Sequence, residues 1–368
     1  MDLLSEATSG GGRVLAARHI TADQAVPEVN NAVNTSLVCH SMDFMPDFKS
    51  YMTALHMYGP VLWALAGAAS LCTLLVYGLS LRAAYRRRST FAHAAVILAV
   101  YPVVALSALV SLIVPRARLV GEAVAQEAVM VAMYHLFQLL VAECGGAEQL
   151  VRCAEGARLE TRVLPCCCWP CCVLPRPLLH KSRISTLRYL VLQMPIIQAI
   201  LYVVILVLWA EDKNLYANSF IMIQPFIASS ILLGVWGMIM TVRAAEAAGA
   251  RPRGKFLAVQ IVLLVVKLQG GAVKVVPALV KMPCLMALHP SVFINLIHNS
   301  LMLVEVFLLS VWAWYLYSAK TDKFADKFAD KVQHAVVAVL EESPKANSRK
   351  LDFTQRGSRP NSFGSEVK

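Results

Sequence analysis

Seven apolar runs, each of roughly 20 to 28 residues, leave this chain few folds to choose from. As a helix rising about 1.5 Å per residue, each run can cross a hydrocarbon layer ~30 Å thick. Lipid offers no water to a stray backbone N–H or C=O, so a run of this kind must close its hydrogen bonds internally. The runs lie at about 58–81, 91–114, 121–142, 187–209, 219–241, 256–280 and 290–317. With 58% of residues in the apolar set and only 15% charged, the chain is too apolar for an ordinary soluble domain. The expectation is an all-α, polytopic membrane protein with seven transmembrane helices.

Charge then orients it. The net charge of +11 is gathered into particular short loops, which is not the footprint of a nucleic-acid-binding face. Arg82, Arg86, Arg87 and Arg88 follow the first run, and the loops after the third and fifth runs are also basic. The loops after the second, fourth and sixth carry little positive charge. The positive-inside rule puts the N-terminus outside and the C-terminus in the cytosol. Residues 1–50 then form an extracellular tail in which Asn34-Thr35-Ser36 is a glycosylation sequon, with no compact apolar core of a cleaved leader. Residues 51–318 form the transmembrane domain, with a cytosolic loop at 143–186. The echo of Lys323-Phe324-Ala325-Asp326 in Lys327-Phe328-Ala329-Asp330 predicts an amphipathic helix over 319–341. The polar residues 342–368 read as disordered.

The loop at 143–186 holds the least ordinary sequence. Glu143-Cys144-Gly145-Gly146 is followed by Pro165-Cys166-Cys167-Cys168-Trp169-Pro170-Cys171-Cys172, with Arg176, Lys181, Arg183 and Arg188 nearby. Juxtamembrane cysteines beside basic residues favour S-acylation of Cys166, Cys167, Cys168, Cys171 and Cys172, holding the loop to the membrane lipids. A zinc site is the second reading, but no second ligand pair follows and adjacent cysteines diverge. A plain packed loop is the third. No metal or cofactor is expected.

Polar residues inside the spans point to function, because an intramembrane polar group faces protein or water rather than lipid. In the third span Tyr134, His135 and Gln138 share a face. In the sixth, Lys267, Gly270, Gly271 and Lys274 recur at helical spacing beside Gln260 and Gln269. In the seventh, Asn295, His298 and Asn299 share a face and Glu305 follows. Two lysines next to a Gly-Gly step suit an anion with a rigid apolar body. Lys267 lines that pathway or pairs with an intramembrane carboxylate, for which Glu305 is the candidate. No P-loop, dinucleotide fingerprint, zinc helix or nucleophile elbow is present, so the chain is not read as an enzyme.

Glu143-x-Gly145-Gly146, the cysteine-proline block and the basic stretch around Lys181 resemble the organic solute transporter alpha family, over roughly residues 50 to 318. Phe256, Gln260, Gln269 and Glu305 fit the same pattern. The resemblance implies facilitative transport of bile acids, conjugated steroids and similar amphipathic anions. It also implies a separate single-span beta subunit and residence in the basolateral plasma membrane of epithelia. Assembly of more than one copy is left open. Trp169 and the Lys-Phe-Ala-Asp tail depart from the family pattern. A seven-span receptor and a non-transporting scaffold of the same family are the rival readings.

Overall fold

The computed structural model describes residues 48–85, 88–154, 156, 158–163, 176–279 and 289–318, without the side chains of 213, 214 and 277–279. Asn34, the five clustered cysteines, the 319–341 segment and the 342–368 tail lie outside the described residues. Among the described residues, seven helices are long and apolar enough to cross a membrane. They are α2 (Tyr58–Ala84), α3 (Phe91–Ile113), α4 (Arg118–Glu143), α6 (Lys181–Glu211), α7 (Lys213–Ala247), α8 (Arg253–Leu279) and α9 (Pro290–Tyr317). Two shorter helices, α1 (Phe48–Leu55) and α5 (Ala147–Cys153), precede α2 and follow α4. The protein is an all-α, polytopic seven-helix bundle.

Several helices run past the apolar cores that announce them. The fourth and fifth runs predict spans of about 187–209 and 219–241, whereas α6 and α7 extend to Lys181–Glu211 and Lys213–Ala247. Apolar content reports where lipid begins and ends, while backbone hydrogen bonding continues beyond it wherever no breaker intervenes. Only Asp212 separates α6 from α7, and its N–H donates to the Leu208 carbonyl at 3.1 Å. A short turn therefore ties these two helices into an antiparallel pair, and they pack along each other.

The centre of the bundle is α3 and α4. Helix α3 packs on α2, α4 and α9, while α4 packs on α3, α6 and α8 and more lightly on α7. Leu98, Val104 and Leu112 of α3 meet Val129, Met133 and Phe137 of α4 in one buried core. Gly121 marks a close approach of the two helices. A Cβ there would lie 2.9 Å from the Ser107 carbonyl oxygen and would run into the Ser111 hydroxyl. Ser111 in turn donates to Ser107 O at 2.8 Å, so the obstruction is backbone and a bonded side chain, and neither moves freely.

Helix α1 caps this end of α3 from outside the spans. The Tyr51 hydroxyl donates to the Leu112 carbonyl at 3.0 Å, and Phe48 stacks on Trp63 of α2 at 6.1 Å between centroids. Burial pushes the Tyr51 phenol up to about 12, so it remains a neutral donor across the physiological range.

Gly121→Val is expected to cost about 1 to 3 kcal/mol through overpacking against fixed backbone. The check is the thermal midpoint of the detergent-solubilised chain, with Gly121→Ala falling between wild type and Val.

Candidate functional site

Helices α7 and α8 are consecutive in sequence, yet each packs mainly on other partners: α7 on α6, and α8 on α9 and α4. Between them lies a cavity of about 620 Å³. Its volume falls in the ~300 to 1,000 Å³ range of small-molecule sites. Phe220, Ile227 and Ile231 of α7 and Leu263 and Leu264 of α8 make apolar walls. Glu122 and Gln126 of α4 and Tyr202 of α6 contribute its polar groups. Lys267, Gly270, Gly271 and Lys274 all line it, so the spacing read from the sixth run is realised as one face of α8.

The two lysines differ in how their charge is met. Lys274 forms an ion pair with Glu122 at 2.6 Å and sits 4.5 Å from the centroid of the Phe220 ring. Lys267 donates to the side-chain oxygens of Gln126 and, at 3.1 Å, of Gln198, and it lies 5.7 Å from the centroid of the Tyr202 ring. The Tyr202 hydroxyl donates to the same Gln126 oxygen. Gln126 and Gln198 are only 4% and 0% exposed, which places the ammonium inside the protein and not at its rim. Among the described residues no carboxylate pairs with Lys267. Neutral amides and an aromatic face hold the cation, leaving its charge unneutralised by direct contact.

The other residues singled out by sequence fall into three separate places. His298 and Asn299 line a much smaller cavity, about 40 Å³, together with Ser107, Ser111, Arg118 and Asn295. It borders the larger one through Glu122, Gly270 and Lys274, and is roomy enough for water. Asn299 Nδ2 donates to the Asn295 carbonyl at 2.8 Å and to its side-chain oxygen at 3.1 Å. Gln269 and Glu305 are bonded to each other at 2.6 Å and line neither cavity. The suggested pairing of Lys267 with Glu305 is thus not the one observed, because Gln269, about 200° round the helix from Lys267, is the α8 residue that meets Glu305. His135 and Gln138 lie towards the arginine-bearing end. His135 Nδ1 is 3.1 Å from His93 Nδ1, and Gln138 donates at 2.7 Å to the Tyr134 hydroxyl, which also accepts from Arg188 at 3.3 Å.

Sequence reasoning missed Glu122, Gln126 and Tyr202. A signal was present for the first two: they stand four apart and therefore share a helical face. Beginning the third span near 121 made Glu122 look like an end residue, whereas α4 starts at Arg118 after a 3₁₀ turn at Pro115–Ala117.

The Glu143 motif builds the opposite end of α4. Lys255 Nζ donates to Glu143 Oε1 and lies 5.5 Å from the Tyr317 ring centroid, joining α4, α8 and α9. Gly145 and Gly146 have φ of 82° and 97°, a left-handed turn that side chains resist, and this turn swings the chain into α5. Cys144, half-buried here, has its thiol pushed up by burial and then by the Glu143 carboxylate. Lys181 donates to Glu148 at 2.5 Å, linking α5 to α6 and holding that carboxyl below its ordinary range. Phe256 packs on the core and Gln260 lines the large cavity, donating to Met133 Sδ at 3.5 Å. No group of three or more His, Cys, Asp or Glu that could hold a metal ion occurs among the described residues.

The model of the family described as organic solute transporter Ostalpha matches residues 62–321, a stretch running from α2 through α9. The chain belongs to that family. An organic solute transporter alpha-like protein of Drosophila melanogaster is 28% identical over 223 residues, covering 59% of this chain. The match spans 66% of that relative's length, just under two thirds. No solved structure matches. The family is described as a transporter family, and this chain is a multi-pass membrane protein within it.

Breaking the Lys274–Glu122 pair from one side strands a half-buried charge. Glu122→Gln is expected to lower stability by about 1.5 to 3 kcal/mol, as for a hydrogen bond to a charged group. The double variant Glu122→Gln/Lys274→Gln is expected to recover part of that loss in the same thermal assay.

Proposed function

We propose that this family member carries amphipathic organic anions, of the bile acid and conjugated steroid type, through the cleft between α7 and α8. The observation that carries the reading is Lys267, an interior ammonium held by two amides with no carboxylate of its own, at the foot of a large cavity with apolar walls. A solute carboxylate or sulfate supplies the missing counter-charge, and its ring system covers the apolar walls. Gly270 and Gly271 keep the α8 side of the cleft free of bulk. Lys274, already paired with Glu122, positions and tunes rather than binds. His298 and Asn299 act through the adjoining polar cavity, while His135, Gln138, Gln269 and Glu305 bond in separate pairs outside both cavities and hold the surrounding helices.

In this reading the chain is the alpha subunit of a heteromeric facilitator that works with a single-span beta subunit at the basolateral plasma membrane. The N-terminus is outside, with Asn34 glycosylated, and the C-terminus is cytosolic. Cys166, Cys167, Cys168, Cys171 and Cys172 are acylated at the inner leaflet. Arginines after the first run, the sequon in the N-terminal tail and cysteines in a basic loop support one orientation together.

The test is flux of a labelled conjugated bile acid or steroid sulfate in cells expressing this chain with a single-span partner. Bidirectional, gradient-following flux is expected. Lys267→Gln should weaken apparent solute affinity about tenfold, equivalent to ~1.4 kcal/mol, at unchanged surface abundance. Absence of flux with both proteins at the surface would sink the proposal. For orientation, Asn34→Gln should remove a glycosidase-sensitive increment of apparent mass, and an unshifted band would count against an outside N-terminus.

A further inference from the structure

Positive charge along the seam between α4 and α8 exceeds negative, and the excess has a regular layout. Arg118, Glu122 and Gln126 stand four residues apart, so they form one stripe along α4, about 6 Å per step. Gln126 Nε2 donates to Glu122 Oε1 at 2.9 Å. A Cβ on Gly270 of α8 would lie 3.8 Å from that Glu122 oxygen and 3.9 Å from Gln126 Nε2, so this part of the stripe faces α8. Lys274 meets Glu122, and Lys267 meets Gln126. The first of these is a neutral ion pair. The second is an ammonium on an amide.

Arg118 is the remaining member of the stripe. It is the first residue of α4 and lines the small cavity of about 40 Å³, with His298 and Asn299 of α9 facing the same space. A guanidinium stays charged throughout the physiological range. Among the described residues it makes no hydrogen bond or ion pair, and the His298 ring makes no hydrogen bond. The small cavity borders the large one through Glu122, Gly270 and Lys274. Two cations without counter-charges therefore flank a pair that is already neutral, across two adjoining cavities. Gln126, which holds Lys267, stands eight residues from Arg118, about 12 Å along the helix.

We infer that the small cavity is a second polar subsite of the solute site, and that the preferred solutes are rigid amphipathic dianions with an acidic group at each end. The inference rests on the anion-carrying reading of the large cavity and adds the solute's second charge to it. One acidic group meets Lys267, the ring body lies on the apolar walls, and the other acidic group meets Arg118. The planar guanidinium fork suits carboxylate or sulfate oxygens, which accept two parallel N–H bonds from it. Lys274 stays with Glu122, so a dianion matches the two positive charges that lack partners. Size adds a limit: 40 Å³ admits an acidic group and no ring, so the second charge stands at the tip of the body.

Equilibrium binding to the full-length chain in lipid nanodiscs tests this with two matched probes, estradiol monosulfate and estradiol disulfate. The disulfate should bind the wild type about tenfold more tightly, the order of one hydrogen bond to a charged group. Arg118→Gln should bring the two probes to equal affinity, while Arg118→Lys, which keeps the charge, should keep part of the difference. Monosulfate binding that Lys267→Gln weakens, with no advantage for the disulfate, would overturn this inference and leave the anion reading standing. Binding of neither probe to the wild type would overturn both. A disulfate advantage that survives in Arg118→Gln would also sink the inference, because the second charge would then be met elsewhere.

Discussion

An ammonium group inside a helical bundle, held by carboxamides rather than by a carboxylate, is the constraint on which the rest of this structure depends. Desolvating a lysine costs several kcal/mol unless something replaces the lost water. Gln126 and Gln198 replace it with aligned dipoles, and the Tyr202 ring adds the field of its face. None of these partners carries charge, so they stabilise the cation without cancelling it. A glutamate in place of either glutamine would make a tighter pair and, under the proposed anion transport, a less useful one, since an incoming anion would then have to displace it. Lys274 illustrates that alternative about two helical turns away, where Glu122 has already taken the charge.

Keeping such a group in position requires a rigid support, and α4 supplies it. One helix carries Glu122 and Gln126 at the cavity, Tyr134, His135 and Gln138 in the interior, and Glu143 at its end. The close approach of Gly121 to the α3 backbone fixes its starting end, and the Lys255–Glu143 pair ties its far end to α8. The cavity opens between two helices that both pack on α4 but hardly touch each other. The apolar walls come from α7 and α8, and the polar groups from α4, α6 and the lysine-bearing face of α8, so one cavity combines both kinds of surface.

Much of this was legible in the sequence, because the bilayer permits so few spanning structures. Seven runs gave seven helices, and the three-, four- and seven-residue spacings of Lys267, Gly270, Gly271 and Lys274 described a face that exists. Facing partners were harder. Periodicity states which residues share a side of one helix and says nothing of which helix that side meets. The proposed Lys267–Glu305 pairing was reasonable on charge alone, yet a two-residue step round α8 turns Gln269, not Lys267, towards α9. Glu122 and Gln126 were hidden for a different reason. Hydropathy blurs at helix ends, and α4 begins before its apolar run does.

That two-residue step has a mechanical consequence. Residues 267 and 269 lie on opposite sides of a single helix, so α8 cannot turn about its axis without disturbing both sets of contacts. Rotation that carries Lys267 away from Gln126 and Gln198 also draws Gln269 from Glu305. Along its cavity side the Lys274–Glu122 pair is a further restraint, while Gly270 and Gly271 offer no side chain to α7. At the start of the helix the ion pair of Lys255 with Glu143 ties α8 to α4. A transporter needs an element with two discrete arrangements that a bound solute can bias. In the proposed reading α8 has the contacts to be that element: one end tied to α4, one face carrying lysines at the cavity, and the opposite face bonded to α9 through Gln269 and Glu305.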